Sequence, residues 1–284
     1  MSNDLPIFIE NLRKDKKLDI SIDKNLTIDW PWTKIAGPCS VEGGPGDKYD
    51  IVEIAKIVKS NGANALRGGA YKPCTYPVVS SISTGNYNWK EGLREEGLDL
   101  LNLAKKETGL PIVSEIMHDS QLTNKTLDII DIIQVGTRNA QNYDLLDSLG
   151  EIKKPILLKR GLYGQIEDML GAAERIMTRG NTQVALCPRG VGGGPSYRHI
   201  FGSIWSPDIM IIPALNELSN IPIIYDPSHS TGYRNFVKPI SKAALAAGAN
   251  GLIIEAHPNP DNSVSDPEQA ITFDTLGEIF EWSA

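Results

Sequence analysis

The sequence contains little cysteine and no long apolar run, and these absences exclude several classes of protein. Three cysteines occur among 284 residues, Cys39, Cys74 and Cys187, and they lie far apart and cannot all pair. They argue against a disulfide framework and for reduced thiols. No apolar stretch approaches the roughly 20 residues of a membrane helix. Residues 1–30 lack the apolar core and cleavage site of a secretory signal, so we expect a cytoplasmic protein that does not contact a membrane.

An excess of positive charge is also missing. The chain has 28 Lys and Arg against 35 Asp and Glu, which gives a net charge of −7. Nucleic-acid surfaces need clustered basic side chains, so we expect no nucleic-acid partner. A local basic pocket for a small anionic ligand is still compatible with an acidic chain.

The chain alternates between strand-like and helix-like segments from residue 34 onward. Eight short apolar runs have the length and composition of buried strands. They cover residues 34–39, 65–69, 111–116, 132–136, 155–160, 184–188, 222–228 and 251–257. Helices are predicted between them, among them residues 50–60, 93–108, 165–179 and 237–247. Eight such units without a break in composition predict one α/β domain over residues 34–284, a (β/α)8 TIM barrel.

Two further segments bear on this fold. The glycine-rich residues 43–46 lack the G-x-G-x-x-G spacing of a dinucleotide site, which disfavours the alternative, a doubly wound open sheet. Ahead of the barrel, residues 17–23 and 26–30 are strand-like runs joined by a turn. They predict a short β-hairpin within residues 1–33, which we expect to cap the amino-terminal end, or bottom, of the barrel.

Metal-ligating residue types fall at the carboxyl ends of three predicted strands. Cys39 ends the first strand, His229 and Glu255 accompany the last two, and Asp266 lies just beyond. One thiolate, one imidazole and two carboxylates can bind a divalent metal. Taken singly, His229 could cap a helix, Glu255 could form an ion pair and Cys39 could be a small buried residue. Their common position at strand ends is what predicts a site.

Basic residues accompany the same strand ends. They are Arg67, Lys72, Arg138, Lys159 and Arg189. Active sites of barrels lie on this face, and five cations beside a metal indicate a pocket for phosphate and carboxylate groups. The alternative, solvated loop charges, is weaker because Arg67, Arg138 and Lys159 adjoin apolar strand residues, and a charge buried there needs a partner. Glu115, at the end of the third strand, adds one acidic group.

Six sequence segments from residue 34 onward together resemble the motifs of a known enzyme family. They are GPCS (37–40), LRGGAYKP (66–73), QVGTRNAQN (134–142), LLKRG (157–161), DPSHS (226–230) and IIEAHP (254–258). In this order and spacing, the chain resembles the 3-deoxy-heptulosonate 7-phosphate synthases, in the branch related to the 3-deoxy-octulosonate 8-phosphate synthases. The resemblance implies a barrel transferase of the shikimate pathway. Such an enzyme condenses phosphoenolpyruvate with an aldose phosphate, erythrose 4-phosphate, and releases inorganic phosphate.

The resemblance also implies roles for single residues. The metal ligands would be Cys39, His229, Glu255 and Asp266, with the choice among Mn, Fe, Co and Zn left open. The substrate-binding residues would be Arg67, Lys72, Thr75, Arg138, Lys159 and Arg189. Those taking part in catalysis would be Lys72, Glu115 and His229. The implied mechanism polarises the acceptor aldehyde with the metal while C3 of phosphoenolpyruvate adds to it. Water near Glu115 then attacks C2, and Lys72 protonates the new alkoxide or holds the aldehyde.

Further expectations concern assembly and regulation. The resemblance implies a homo-oligomer, a dimer or a tetramer. The chain has no room for an appended regulatory domain beside the barrel, so we expect no feedback control by aromatic amino acids through such a domain.

The acceptor side departs from the family pattern. The usual K-P-R-T-S-P is KPCTYP (72–77) here, so Cys74 replaces the arginine that would bind the acceptor's phosphate. The following segment, 78–94, is longer than usual, and Arg189 follows a proline in place of the usual glutamate. Three functions stay open: the usual condensation, the same chemistry with another aldehyde, or a non-catalytic barrel that binds phosphoenolpyruvate or a sugar phosphate. The complete ligand set argues against the last.

Overall fold

The structure is a computed structural model that describes residues 33–73, 92–192 and 205–282, together with the backbone of residues 78–81 and 86–89. Its strands are β1 (Thr33–Gly37), β2 (Ala65–Arg67), β3 (Val78–Ser81), β4 (Asn86–Trp89), β5 (Ile112–Ile116), β6 (Ile132–Val135), β7 (Ile156–Lys159), β8 (Val184–Cys187), β9 (Ile224–Tyr225) and β10 (Gly251–Glu255). Its helices are α1 (Ile51–Ser60), α2 (Arg94–Thr108), α3 (Asn124–Ile129), α4 (Tyr143–Gly150), α5 (Ile166–Thr178), α6 (Ile211–Leu218), α7 (Pro227–Thr231), α8 (Arg234–Ala246) and α9 (Phe273–Trp282).

Eight parallel strands of the described residues form one closed sheet. Their order is β8-β7-β6-β5-β2-β1-β10-β9, and a parallel bridge between Leu186 and Ile223 joins the two ends of this order. The helices connect successive parallel strands, as right-handed crossovers require. The predicted (β/α)8 barrel is thereby confirmed. The predicted N-terminal hairpin lies outside the described residues and stays a prediction.

Helix caps set the beginnings of the outer helices. Asp50 accepts a hydrogen bond from the backbone N–H of Val52 and caps α1, and Asn142 caps α4 in the same way through Leu145. Such side-chain oxygens satisfy the unpaired N–H groups of a first helical turn. The predicted helices match α1, α2 and α5 closely. Helix α8 begins at residue 234, three residues before its predicted start.

Seven of the eight predicted strands end earlier than predicted, and only the strand that ends at Ile116 keeps its predicted carboxyl end. The largest correction is the run 222–228, of which only Ile224–Tyr225 is a strand. Asp226 leaves the sheet and caps α7, with Pro227 as the first helical residue, a combination that favours a helix start. The first strand ends at Gly37, whose φ of 147° suits glycine. A Cβ atom there would lie 2.2 Å from the Arg67 carbonyl oxygen.

A small antiparallel hairpin, formed by β3 and β4, interrupts the connection from β2 to α2. The unusual length of this segment is apparent in the sequence, but no strands were predicted in it. Among the described helices, none has both the length and the hydropathy that a bilayer span requires.

The barrel interior is filled by a layer of apolar side chains with one residue from each of the eight parallel strands, and β8 adds a second, Cys187. They are Ile35, Ala65, Val113, Ile132, Leu157, Ala185, Cys187, Ile224 and Ile253. Their sequence neighbours, such as Ala36, Leu66 and Ile133, belong instead to the larger core between the sheet and the helices. This alternation follows from the two-residue period of a strand. It fixes which side chains face the carboxyl-terminal mouth of the barrel.

Candidate active site

A layer of polar side chains lies next to the apolar interior, toward the carboxyl ends of the strands. Its members stand two residues after a residue of the apolar layer and are all buried. They are Arg67, Glu115, Gln134, Lys159 and Glu255. Because two residues along a strand return to the same face, these groups point into the barrel mouth. Buried charges need partners, and the contacts below supply them.

Four metal-ligating residues meet in this mouth. Cys39, His229, Glu255 and Asp266 each offer one ligand atom, and these atoms all lie within 4.8 Å of one another. They come from the loop after β1, from α7, from the end of β10 and from the loop after β10. The structure therefore brings together the whole predicted ligand set.

The donor set fits a divalent metal ion. Sulfur, imidazole nitrogen and two carboxylate oxygens suit first-row transition metals such as Zn, Fe, Mn or Co. The Oε1 atom of Glu255 is buried and has no hydrogen bond among the described residues. It lies 3.1 Å from Nε2 of His229 and 3.2 Å from a guanidinium nitrogen of Arg67. An acceptor atom held in this way, beside a thiol and an imidazole, is well placed to bind a cation.

The protonation of the ligand residues is also compatible with metal binding. Burial lowers the pKa of His229 below its usual value, although Asp226 and Glu255 oppose the shift. Burial opposes ionisation of Glu255, but His229 and Arg67 outweigh it and lower the pKa of that carboxyl. Burial, reinforced by Glu255, raises the pKa of the Cys39 thiol. A metal would therefore displace the Cys39 proton on binding.

Asp226 orients the candidate ligand His229. Its Oδ2 atom lies 2.8 Å from Nδ1 of His229, and its Oδ1 atom accepts from the His229 backbone N–H at 3.0 Å. The same Oδ2 accepts from the ammonium group of Lys159 at 2.5 Å. Carboxylates in this position fix the tautomer and the orientation of a metal-binding imidazole. Asp226 thereby connects the ligand set to the cations.

Glu255 is held by two hydrogen bonds of its own. Its Oε2 atom accepts from Nε2 of Gln269 at 2.6 Å, and its backbone N–H donates to Oγ of Ser228 at 2.9 Å. Gln269 comes from the loop that also carries Asp266. These contacts fix the carboxylate on the end of β10.

Four of the predicted cations are buried or nearly buried in the mouth. Arg67 and Lys159 are in the polar layer, and the Lys72 ammonium group lies 2.6 Å from Sγ of Cys39 and 3.3 Å from Oδ2 of Asp266. Arg189 donates to the backbone oxygen of His229 at 3.0 Å. Burial lowers the pKa of Arg189, so an anion placed beside it would interact with a strongly desolvated charge.

Arg138 differs from the other four cations. Its side chain is exposed, and it donates to the Pro73 carbonyl oxygen at 3.1 Å. The prediction that its apolar neighbours imply burial is wrong, because Arg138 lies in a 3₁₀ turn at residues 137–139 after β6 has ended. Thr75 and Cys74 lie outside the described residues.

Glu115 is the member of the buried polar layer that β5 contributes. Its Oε2 atom accepts from Nε2 of Gln134 at 3.2 Å, and its Oε1 atom has no hydrogen bond within the described ranges. A Cβ atom on Gly136 would lie 1.9 Å from Oε1, so glycine is required for the carboxylate to lie here. Burial raises the pKa of Glu115, opposed by Lys72 and Lys159.

Comparison with known proteins identifies the family. The model of the DAHP synthetase I family matches residues 19–284. This chain belongs to the DAHP synthetase I family. A phospho-2-dehydro-3-deoxyheptonate aldolase of Thermotoga maritima is 41% identical over 251 residues, which are 88% of this chain and 68% of the relative. A 2-dehydro-3-deoxyphosphooctonate aldolase of Desulfotalea psychrophila is 29% identical over 260 residues, covering 88% of this chain and 87% of that protein.

Solved structures agree with this membership of the DAHP synthetase I family. The crystal structure of the Thermotoga maritima DAHP synthase superposes with a TM-score of 0.80 at 37% identity, over 94% of this chain and 71% of that one. A truncated form of 3-deoxy-D-arabino-heptulosonate 7-phosphate synthase from the same organism gives a TM-score of 0.78 at 36% identity, over 94% and 90%. The resemblance carried by the six sequence segments is confirmed.

Three site residues of this DAHP synthetase I family member were not predicted from the sequence. Asp226 was assigned to a strand, although an Asp followed by Pro is a common helix start. Gln134 shares the inward face of β6 with Ile132 and could have been found from strand alternation. Gln269 lies in a loop without any pattern, and only its contact with Glu255 reveals it.

Proposed function

We propose that this chain condenses phosphoenolpyruvate with erythrose 4-phosphate and water, and forms 3-deoxy-D-arabino-heptulosonate 7-phosphate and inorganic phosphate. The proposal is supported by membership of the DAHP synthetase I family and by relatives that carry this activity in their names. The structural observation that supports it most directly concerns the carboxyl-terminal mouth of the barrel. A ligand set for a divalent metal and a group of buried cations share one barrel mouth.

Cys39, His229, Glu255 and Asp266 are proposed to hold the metal. A divalent ion bound there would act as a Lewis acid on the carbonyl group of the acceptor aldehyde. Asp226 keeps the His229 ring in place, and Gln269 keeps the Glu255 carboxylate in place. The nature of the ion is open among Mn, Fe, Co and Zn.

Phosphoenolpyruvate would bind to the buried cations. Its phosphate and carboxylate groups are anionic, and Arg67, Lys159 and Arg189 offer buried, charged donors. Charge-assisted hydrogen bonds are the strongest of their kind, and planar guanidinium groups match both anions. Arg138 and Thr75 are proposed to complete the binding residues at the edge of the mouth.

Two side chains are proposed to move protons. Glu115 has an unpaired buried oxygen and a raised pKa, which suits a base that orients the water attacking C2 of phosphoenolpyruvate. That water contributes the oxygen of the new hemiketal, and loss of phosphate from C2 leaves the keto group of the product. Lys72 is proposed to protonate the alkoxide formed from the aldehyde, since burial lowers its pKa but Cys39 and Asp266 outweigh this and keep it charged.

A different acceptor aldehyde is the second candidate. It is favoured by Cys74, which replaces the arginine expected to bind the acceptor's phosphate. Loss of such a contact typically lowers specificity by about two decades or more. Another cation could compensate, and then erythrose 4-phosphate would remain the substrate.

Phosphate release separates these candidates. The purified protein is mixed with phosphoenolpyruvate and one aldehyde, either erythrose 4-phosphate, erythrose or a bulkier aldose phosphate, with and without a metal chelator. We expect the highest kcat/KM with erythrose 4-phosphate and no release after chelation. A higher kcat/KM with another aldehyde would assign that acceptor. No release with any aldehyde, in the presence of each candidate metal, would favour a binding barrel and contradict the proposal.

Assembly and location are part of the same proposal. Family resemblance supports a homo-oligomer, either a dimer or a tetramer. It also supports a cytoplasmic enzyme of the shikimate pathway. Light scattering of the purified protein tests the oligomer.

A further inference from the structure

Two loops from opposite ends of the barrel sequence hold the candidate ligands Cys39 and Asp266. They leave the sheet side by side, because β1 pairs with β10 with Gly37 opposite Glu255. The Asp266 side chain is 41% exposed, whereas Glu255 is almost fully buried. The φ of Asp266 is 54°, a left-handed value that is uncommon outside glycine but is adopted by Asp more readily than by most residues. Burial therefore does not by itself hold Asp266 in place.

A buried glutamate outside the ligand set joins these loops. Oε1 of Glu42 accepts a hydrogen bond from the backbone N–H of Val264 at 2.9 Å. It also lies 3.2 Å from Oγ of Ser263, whose single hydroxyl proton is shared with the Ser265 carbonyl oxygen at 2.8 Å. The side chain of Glu42 is 4% exposed. Beside it, the hydroxyl oxygens of Ser40 and Ser265 lie 3.2 Å apart. The turn at residues 263–266 is thus attached to the loop after β1 immediately before Asp266.

The His257 ring lies next to Glu42, and the Tyr49 ring packs against His257. Nε2 of His257 lies 3.5 Å from Oε1 of Glu42, and the Tyr49 ring packs edge-on against the His257 ring with centroids 4.5 Å apart. Nδ1 of His257 accepts from the backbone N–H of Asn259 at 3.1 Å. This contact places the proton of the neutral ring on Nε2, facing Glu42.

Three polar atoms of Glu42, His257 and Tyr49 are buried without a hydrogen bond to any described residue. Oε2 of Glu42, Nε2 of His257 and Oη of Tyr49 are buried without a hydrogen-bond partner in the part of the chain that the structure describes. Unsatisfied buried polar atoms are rare and concentrate where function constrains the position of a side chain. The position that Glu42 constrains is that of the 263–266 turn.

We propose that Glu42 is a positioning residue for the metal site. It holds the backbone N–H of Val264 and the hydroxyl of Ser263 against the loop after β1, so that the Asp266 carboxylate faces Cys39. The inference rests on the metal site proposed above. Glu42 acts through the turn and not on the metal, since its described contacts include none of the four ligand residues.

Competition between the protein and a colorimetric chelator for Co²⁺ tests this inference. Glu42→Ala removes both hydrogen bonds to the turn, and we expect Co²⁺ affinity to fall about 10- to 100-fold, as for other residues that orient metal ligands. Glu42→Gln keeps an oxygen that accepts from Val264 and Ser263, so we expect affinity close to that of the wild type. Ser263→Ala removes one of the two hydrogen bonds and should give a smaller loss than Glu42→Ala.

Two controls separate positioning from general loss of structure. Glu53→Ala removes an exposed carboxylate from the neighbouring helix α1 and should leave Co²⁺ affinity unchanged. Absorption from the bond between Co²⁺ and the Cys39 thiolate should persist in Glu42→Ala at saturating Co²⁺, because only the Asp266 side of the site is displaced. Should Glu42→Ala fail to fold, Glu42→Asp, which keeps the buried charge but shortens the side chain by one methylene, should show the loss of Co²⁺ affinity instead.

Distinct outcomes overturn the inference and the proposed function. Wild-type affinity in Glu42→Ala, or a loss in Glu42→Gln equal to that in Glu42→Ala, overturns the positioning role alone. A wild-type protein that binds no Co²⁺ overturns the metal site together with it. Phosphate release by the wild type with erythrose 4-phosphate is scored separately and tests the proposed reaction.

Discussion

Oδ2 of Asp226 lies 2.8 Å from Nδ1 of His229, so the other ring nitrogen of His229 faces Glu255. The same oxygen is 2.5 Å from the ammonium group of Lys159, and Asp226 has no exposed surface. One carboxylate therefore orients a candidate metal ligand and neutralises a cation proposed to bind substrate.

The first prediction concerns Asp226→Asn. This change leaves Lys159 buried without its counter-charge, which should lower the free energy of unfolding by about 3–5 kcal/mol. Metal affinity should fall about 10- to 100-fold, because the imidazole loses the group that orients it. Chemical denaturation and metal titration measure the two effects. Asp147→Asn, on the surface pair between α4 and Arg175, is the control and should leave metal affinity unchanged. Wild-type metal affinity in a folded Asp226→Asn protein would contradict the assignment.

Cys39→Ser should weaken metal binding by about tenfold or more and leave the fold intact. Sulfur is a much better ligand than a hydroxyl for the candidate ions, while serine fits the space of cysteine. Cys187→Ala provides the matched control, because Cys187 is equally buried but lies outside the ligand set. Metal content after dialysis gives the readout. Equal metal content in Cys39→Ser and the wild type would remove Cys39 from the site.

Arg189→Ala should lower kcat/KM for phosphoenolpyruvate by the equivalent of about 2–5 kcal/mol, as for loss of one partner of a desolvated charge pair. The loss should persist at moderate salt, since buried charges are poorly screened. Steady-state kinetics with each substrate varied in turn checks this. Arg175→Ala, on the outside of the barrel, should have wild-type kinetics. An unchanged KM for phosphoenolpyruvate together with unchanged kcat would exclude Arg189 from the site.

Glu115→Gln should lower kcat by about 10²- to 10⁴-fold, as expected for a lost general base. It should also change how the free energy of unfolding depends on pH. Burial raises the pKa of Glu115 above the ordinary value of 4.5. The carboxyl is protonated in both the folded and the unfolded protein below that ordinary value. As pH rises from that ordinary value to the raised pKa, the unfolded chain ionises Glu115 while the folded protein keeps it protonated, so the wild type loses stability relative to Glu115→Gln.

Thermal melts of both proteins between pH 5 and 8 measure this difference. Each tenfold difference between the acid dissociation constants of Glu115 in the folded and the unfolded protein corresponds to roughly 1.4 kcal/mol of stability. The melting temperature of Glu115→Gln minus that of the wild type should increase with pH. Glu107→Gln, exposed on the last turn of α2, controls for the removal of one exposed carboxylate. A constant difference for Glu115→Gln would mean that Glu115 is not desolvated.

The barrel could be predicted because its strands are buried on both faces and read as apolar runs between amphipathic helices. Strand ends could not be placed as well, since Asp226 leaves the sheet in mid-run to begin α7. The β3–β4 hairpin was missed for a related reason. Its strands, VVSS and NYNW, are short and polar and have no two-residue turn signal between them.

Ligand types at strand ends could be predicted because parallel strands bring their carboxyl ends to one rim. The supporting contacts could not, since Gln269 and Glu42 reach the site through loops of irregular backbone. Arg138 and Lys159 have similar apolar neighbours in the sequence, yet one is exposed and the other is 3% exposed. The difference arises because Lys159 is on a strand and Arg138 is in the turn that follows one.

Two side chains of the candidate active site also reach across the seam between β8 and β9, the two ends of the sheet. Four residue pairs link β7 to β8, whereas the described connection between the two ends of the sheet is one bridge, from Leu186 to Ile223, with two backbone hydrogen bonds, from Leu186 to Pro222 and from Asp226 to Pro188. Arg189 and Lys159 cross this seam to His229 and Asp226. Seams with few backbone hydrogen bonds open most readily in local fluctuations. Arg189 and Lys159, which are proposed to bind phosphoenolpyruvate, thus also hold the two ends of the sheet together. Substrate that binds to them would replace part of these contacts across the seam.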